Sequence, residues 1–317
     1  MSETELAVDN VSDSERPRVN IAVPRKGRPL EAVLELFADR TGSGELIDEV
    51  ISTLQYEKRV AKGNIEPAEN VYERMTAYSD LDHPARPEYT LLRDDRNGKP
   101  RRIVFDSLTV PFDTVDIRLI GREEPFRALR THEFALGFDS ADLVLEEVVT
   151  IRREPLSDLS DLDERIDPVD TDVRIVCGLR DTVYHTLLVS PEVRRNDPTP
   201  DEPLTRSFLE TYEGPICISP RYERLVTAIL GTRLLDGITF TYPDEESEEA
   251  AITETGVGVY LTVSGSTAKE HGLEVGTKLF PSETVLMENR QEIGDDSIER
   301  VKSVLDTSEL SPSLRVR

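Results

Sequence analysis

Lysine is scarce in this chain. Seven Lys stand against 31 Arg and 63 Asp plus Glu, giving a net charge of −25 over 317 residues. That balance counts against a nucleic-acid partner, whose phosphates are held by clustered Lys and Arg, and against an anionic membrane surface. An acidic, Lys-poor chain is the composition expected of a protein working in molar salt, where screening shortens charge repulsion and carboxylates keep the surface hydrated. Cysteine is nearly absent too. Cys177 and Cys217 stand alone, without CxxC or Cys/His spacing, which leaves no structural zinc motif. No apolar run approaches the roughly twenty residues of a membrane span. The opening MSETELAVDN has neither a basic nor an apolar leader segment, so the expectation is a cytoplasmic protein. His83, His132, His185 and His271 have no acid–nucleophile pattern around them. GxSxG, Walker A and GxGxxG are all missing, so hydrolase, kinase and dehydrogenase readings gain no support.

What is present is organised. Segment 18–23 (RVNIAV) reads as a strand and 25–28 as a basic glycine turn. Segment 29–38 reads as a helix with Leu30, Val33, Leu34 and Phe37 on one face and Pro29 at its start. A second helix is expected over 43–60. Two β-rich runs, 88–93 and 101–108, flank the hairpin signal at 94–98. Strands follow at 115–120 and 134–138 and helices at 124–131 and 204–212. Further strands are expected at 172–177, 182–190, 215–219, 237–242, 257–263 and 278–286. Helical segments complete the pattern at 221–230, 268–272 and 296–305. Strands alternating with helices make the fold class α/β. Composition shifts near 155–172 and 195–203 divide it into a disordered acidic tail (1–17), a first lobe with a hairpin-containing insertion (18–171), a second lobe (172–262), and a return to the first lobe (263–317). The acidic segment 157–172 has no EF-hand spacing and reads as a solvated loop.

Three turns could carry chemistry, each between a strand and a helix, where α/β proteins bind anions. The first holds Lys26, Gly27 and Arg28. The second is Ser264, Gly265, Ser266 and Thr267, hydroxyls around a glycine that can cradle a phosphate or simply cap a helix. The third presents Arg221 and Arg224, cations that suit an anion or surface ion pairs equally.

In order and spacing these segments resemble the ATP phosphoribosyltransferase family, which starts histidine biosynthesis. The run IAVPRKGR (21–28) looks like that family's strand and "KGR" turn. IRLIGREEPFRALRTHEFALGF (117–138) looks like the stretch entering its "DLGITG" segment, with Leu136, Gly137 and Asp142 in matching places. LTVSGSTAKEHGL (261–273) looks like its "LVSTGATLxxNGL" loop, and 282–289 fits the next strand. The resemblance implies a two-lobed fold like that of the periplasmic binding proteins, with a cleft between the lobes. In that cleft phosphoribosyl pyrophosphate meets a purine nucleotide, and N1 of ATP displaces pyrophosphate. It implies that Ser264–Thr267 hold the 5′-phosphate, that Lys26 and Arg28 line the cleft, and that Mg2+ assists.

The departures matter. ALGFDS (135–140) stands for DLGITG, losing the first Asp and second Gly. The acidic residues expected before the phosphate loop are replaced by Tyr260 and Gly256. Cys217–Tyr222 matches "ATKYPNLT" poorly. Only 28 residues follow Asn289, short for the family's regulatory domain, so feedback inhibition by that route is not expected. These departures keep a second expectation open: a catalytically inactive relative that binds a phosphorylated metabolite or serves as a regulatory subunit. A small phosphorylated ligand is the expected partner, with a homo-oligomer or regulatory subunit as the protein partner.

Overall fold

The computed structural model describes residues 16–79, 83, 86–93, 101–155, 169, 171–197, 200, 203–243 and 248–306. The expected tail (apart from Arg16 and Pro17), the hairpin turn at 94–98 and most of the acidic segment 157–172 lie outside them.

The chain opens as expected. Strand β1 (Arg18–Pro24) leads through a basic turn to helix α1 (Arg28–Thr41). Leu30, Val33, Leu34 and Phe37 are fully buried, as their helical spacing requires, and Gly42 closes the helix in the left-handed conformation. Helix α2 (Gly44–Ala61) turns Ile47 and Val50 fully inward. Its Glu57 takes both Nε (2.7 Å) and Nη2 (3.0 Å) of Arg74 from helix α3 (Val71–Tyr78). Helix α3 was not expected, although Asn70 and Glu73 form a reciprocal capping box. Strands β2 (Glu88–Arg93), β3 (Arg101–Phe112) and β4 (Val115–Arg122) form an antiparallel meander, and β3 runs four residues further than expected. Helix α4 (Pro125–Arg130), strand β5 (Leu136–Ser140) and helix α5 (Ala141–Val148) follow.

Two sheets result. The larger has the order β2-β3-β4-β1-β5-β12-β6, with β6 at Val173–Gly178 and β12 at Thr284–Asn289. The smaller has the order β11-β7-β10-β8-β9. Its strands are β7 (Val183–Val189), β8 (Gly214–Ile218), β9 (Ile238–Thr241), β10 (Val257–Thr262) and β11 (Glu274–Ser282). Its helices are α6 (Pro191–Asn196), α7 (Arg206–Thr211), α8 (Glu223–Leu230), α9 (Glu248–Thr255) and α10 (Ser266–Glu270); α11 (Asp296–Leu305) returns to the first lobe. Each sheet has its own buried core.

The lobe boundaries expected at 172 and 263 are corrected by the pairing. β6 is antiparallel to β12 in the large sheet, so residues 173–178 belong to the first lobe. The chain enters the small sheet only after residues 179–182. β11 pairs with β7 up to Ser282, so the return comes at Glu283 rather than 263. The run expected as one strand over 278–286 is therefore two strands in two sheets, broken at Glu283. Helix α5 also joins the lobes: Leu145 packs in the second-lobe core, while Ala141, Val144 and Val148 pack beside β5 and β12.

Candidate functional site

Strand direction places the three candidate turns. β12 begins at the crossing, with Thr284 opposite Ser140 at the end of β5, and β5 runs parallel to β1. The C-terminal end of β1 therefore lies at the edge where the chain crosses. In the small sheet β7 starts at the crossing, and antiparallel β10 ends there, Thr262 opposite Tyr184. β8 is parallel to β10. The turns after β1, β8 and β10 thus all bound the gap between the lobes. The Arg221 charge is felt at Asp139 on β5 of the other lobe.

In the first turn Gly27 has φ +88° and ψ −177°, a backbone state that L side chains do not hold without strain. It opens α1 with no side-chain cap, so the Arg28 and Leu30 amides have no intrahelical acceptor. Lys26 makes a loose, exposed pair with Glu123, 3.7 Å away. Arg28 is more committed. Its Nη1 donates to the Asp181 carbonyl (2.6 Å) and to the Asp181 carboxyl, and its Nη2 donates to Ser282 Oγ (3.1 Å). In the second turn Gly265 is left-handed at φ +70°. Ser264 and Ser266 share a hydroxyl contact of 2.8 Å, and Ser266 and Thr267 are exposed at the start of α10. In the third turn Arg221 is exposed and makes no ion pair among the described residues. Arg224 departs from its expected role. Its Nε donates to the Val149 carbonyl (2.9 Å), while the Arg224 and Leu225 amides donate to Glu146. It ties α8 to α5.

Behind these turns lies a buried polar group that sequence reasoning missed. Asp142, fully buried on α5, accepts Ser282 Oγ at 3.0 Å and lies 2.8 Å from His185 Nε2 on β7. The His185 ring stacks on Phe280 at 4.1 Å and meets Tyr222 edge-on at 4.6 Å. Burial, aided by the nearby Asp142 carboxyl, pushes the Tyr222 phenol well above its ordinary pKa. Both crossing segments are pinned: Thr284 donates to Asp181 through its amide (2.7 Å) and hydroxyl (2.6 Å), and Glu283 accepts the Arg180 amide (2.8 Å) and Thr182 hydroxyl (2.6 Å). Asp139, 2% exposed, accepts the Phe126 and Ser140 amides. Burial pushes its pKa up to about 7 against the pull of those amides and of Arg221. Among these, only Asp142 had any sequence signal, through the resemblance. Apart from Asp139, the others come together only where the lobes meet.

Of the departures from the family pattern, Ser140 at the end of β5 and Pro220–Tyr222 after β8 lie at the gap, and others lie away from it. Ala135 lines a cavity of about 240 Å³ at the opposite end of β1 and β5. Gly256 precedes β10 at its far end, packed against Val193. Tyr260 points its phenol at Glu248, and burial and that contact raise its pKa. No group of three or more His, Cys, Asp or Glu among the described residues is placed to hold a metal ion, and the carboxyls at the crossing are engaged by N–H and O–H donors.

Fold and site together define a two-lobed α/β protein with cationic and hydroxyl-bearing turns around an inter-lobe gap. The chain belongs to the halobacterial ATP phosphoribosyltransferase family, whose sequence model matches residues 16–316. No curated protein matches by sequence. Among solved structures, the ATP phosphoribosyl transferase (HisG:HisZ) complex from Thermotoga maritima is similar over 92% of this chain and 98% of its own, at 13% identity and a TM-score of 0.42. The regulatory domain of MetR, a LysR family regulator from N. meningitidis, is similar over 60% and 79%, at 11% identity and 0.32. The ancestral amino acid-binding protein AncCDT-1 is similar over 62% and 74%, at 11% identity and 0.34. Family membership rests on the sequence match. No helix among the described residues is long and apolar enough to cross a membrane.

Proposed function

We propose that this protein transfers the phosphoribosyl group of phosphoribosyl pyrophosphate to N1 of ATP in the gap between its lobes. The observation that carries this is the convergence, in a chain of net charge −25, of three strand ends bearing Lys26, Arg28, Arg221 and the Ser264–Thr267 turn on one gap. In the reaction the C1′–O bond to pyrophosphate breaks, the C1′–N1 bond forms, and the electron pair leaves on a pyrophosphate oxygen. Negative charge therefore grows on the leaving group, and preorganised cations and amides aimed there lower the barrier. The hydroxyls of Ser264, Ser266 and Thr267 with the Gly265 turn hold the 5′-phosphate. Lys26, Arg28 and the open first turn of α1 face the pyrophosphate or the ATP phosphates. Arg221 supplies the second lobe's charge. Mg2+ would enter with the phosphates of the substrates, whose oxygens are the hard ligands it takes.

The test is pyrophosphate release from phosphoribosyl pyrophosphate and ATP in molar KCl. Turnover in the wild type, and its loss in Ser264→Ala/Thr267→Ala, supports the proposal. A folded wild type that releases no pyrophosphate removes it. The inactive-relative reading predicts instead thermal stabilisation by phosphoribosyl pyrophosphate without turnover.

A further inference from the structure

We propose that Asp142 is a positioning residue that fixes the first-lobe and second-lobe arginines relative to each other; its consequence for substrate binding rests on the function proposed above. The chain of hydrogen bonds has one possible direction at its start. Arg28 has only donors, so its Nη2 must donate to Ser282 Oγ (3.1 Å), and the Ser282 proton is then directed to Asp142 Oδ1 (3.0 Å). The other carboxyl oxygen meets His185 Nε2 at 2.8 Å, and the His185 ring in turn meets the Tyr222 ring edge-on at 4.6 Å. Tyr222 is next to Arg221 and ends the 3-10 turn Pro220–Tyr222 that follows β8. One carboxyl therefore holds a first-lobe cation through Ser282 and a second-lobe turn through Tyr222 and His185. The side chains of Asp142 and His185 are 1% and 2% exposed, so bulk water does not compete for these contacts. Helix α5 carries Asp142 between the two cores, which makes it a fixed post rather than a mobile arm.

The geometry separates the branches. Removing the Ser282 hydroxyl breaks only the path to Arg28, removing the Tyr222 ring breaks only the path to Arg221, and removing the Asp142 carboxyl breaks both. Amide hydrogen exchange of the ligand-free chain reads this directly. Ser282→Ala should quicken exchange in residues 25–31 alone, Tyr222→Leu in 219–225 alone, and Asp142→Ala in both, with 264–272 unchanged. Ser282→Ala and Tyr222→Leu keep the proposal testable if Asp142→Ala fails to fold. If either single-branch variant loosens both turns or neither, or if a folded Asp142→Ala loosens neither turn or the whole chain together, the proposal is overturned. In the transferase assay Asp142→Ala should raise KM for phosphoribosyl pyrophosphate roughly tenfold with kcat changed much less. His185→Gln, which keeps a donor toward Asp142, should stay close to wild type, whereas His185→Leu should not. A kcat loss with KM intact would contradict a positioning role. Absence of turnover in the wild type would refute the transferase and leave the exchange pattern to decide on Asp142.

Discussion

Replacing Asp139 by Asn should change the sign of its effect on stability with pH. The carboxyl lies at the end of β5, 2% exposed, and burial raises its pKa from 3.8 to about 7. At about 1.4 kcal/mol per pH unit, holding it ionised costs the fold about 4 kcal/mol. Because the folded value is the higher one, the stability this group contributes is fully present below about pH 4 and is lost as pH rises through about 7. Asn carries no charge, but it offers one acceptor where Asp offers two, and both are used, by the Phe126 amide (3.2 Å) and the Ser140 amide (2.9 Å). Leaving one buried amide unpaired costs about 1–3 kcal/mol at every pH. The variant should therefore be less stable than wild type near pH 4 and more stable than it near pH 8.5. The difference between the two proteins should move by about 4 kcal/mol across that interval. Urea unfolding at fixed molar KCl, repeated across this range, measures it. A difference that does not change with pH would refute the reasoning, since the constant amide penalty would then be the whole effect.

Other outcomes follow from packing and charge. Gly137→Ala would place its Cβ 2.5 Å from Leu129 Cδ1 and 3.1 Å from the Ala22 carbonyl, so it should lower stability by about 1–3 kcal/mol in thermal melts. Glu57→Ala leaves Arg74, 8% exposed, without its bidentate partner. It should cost about 3–5 kcal/mol, and the double change Glu57→Leu/Arg74→Leu should recover most of that by calorimetry. With a net charge of −25, the melting temperature should rise steadily as KCl increases from about 0.1 M to molar levels; a flat or falling curve would contradict the high-salt reading of the composition.

What the sequence disclosed was local. The strand, turn and helix at 18–41 were legible because alternation gives way to a helical face just after a glycine, with Pro29 marking the boundary. The capping pair Asn70 and Glu73 announced α3, although the expectation passed over it. The split at Glu283 was not legible, because residues 278–286 are continuously β-prone and the break is imposed from outside. Glu283 is drawn to Arg180 and Thr182, while β11 and β12 find partners in different sheets. The same holds for the site. Basic and hydroxyl turns could be read from spacing, but Asp142 and His185 stand 43 residues apart. Only the crossing of the chain brings them together. Arg224 looked equivalent to Arg221 in sequence, yet its Nε is taken by the Val149 carbonyl.

The most direct test of the account is a crystal structure with phosphoribosyl pyrophosphate bound in molar salt. The account predicts density in the inter-lobe gap, with the 5′-phosphate against Ser264–Thr267 and the pyrophosphate toward Lys26 and Arg28. Density elsewhere, for example in the cavity beside Ala135 at the far end of β1, would contradict it.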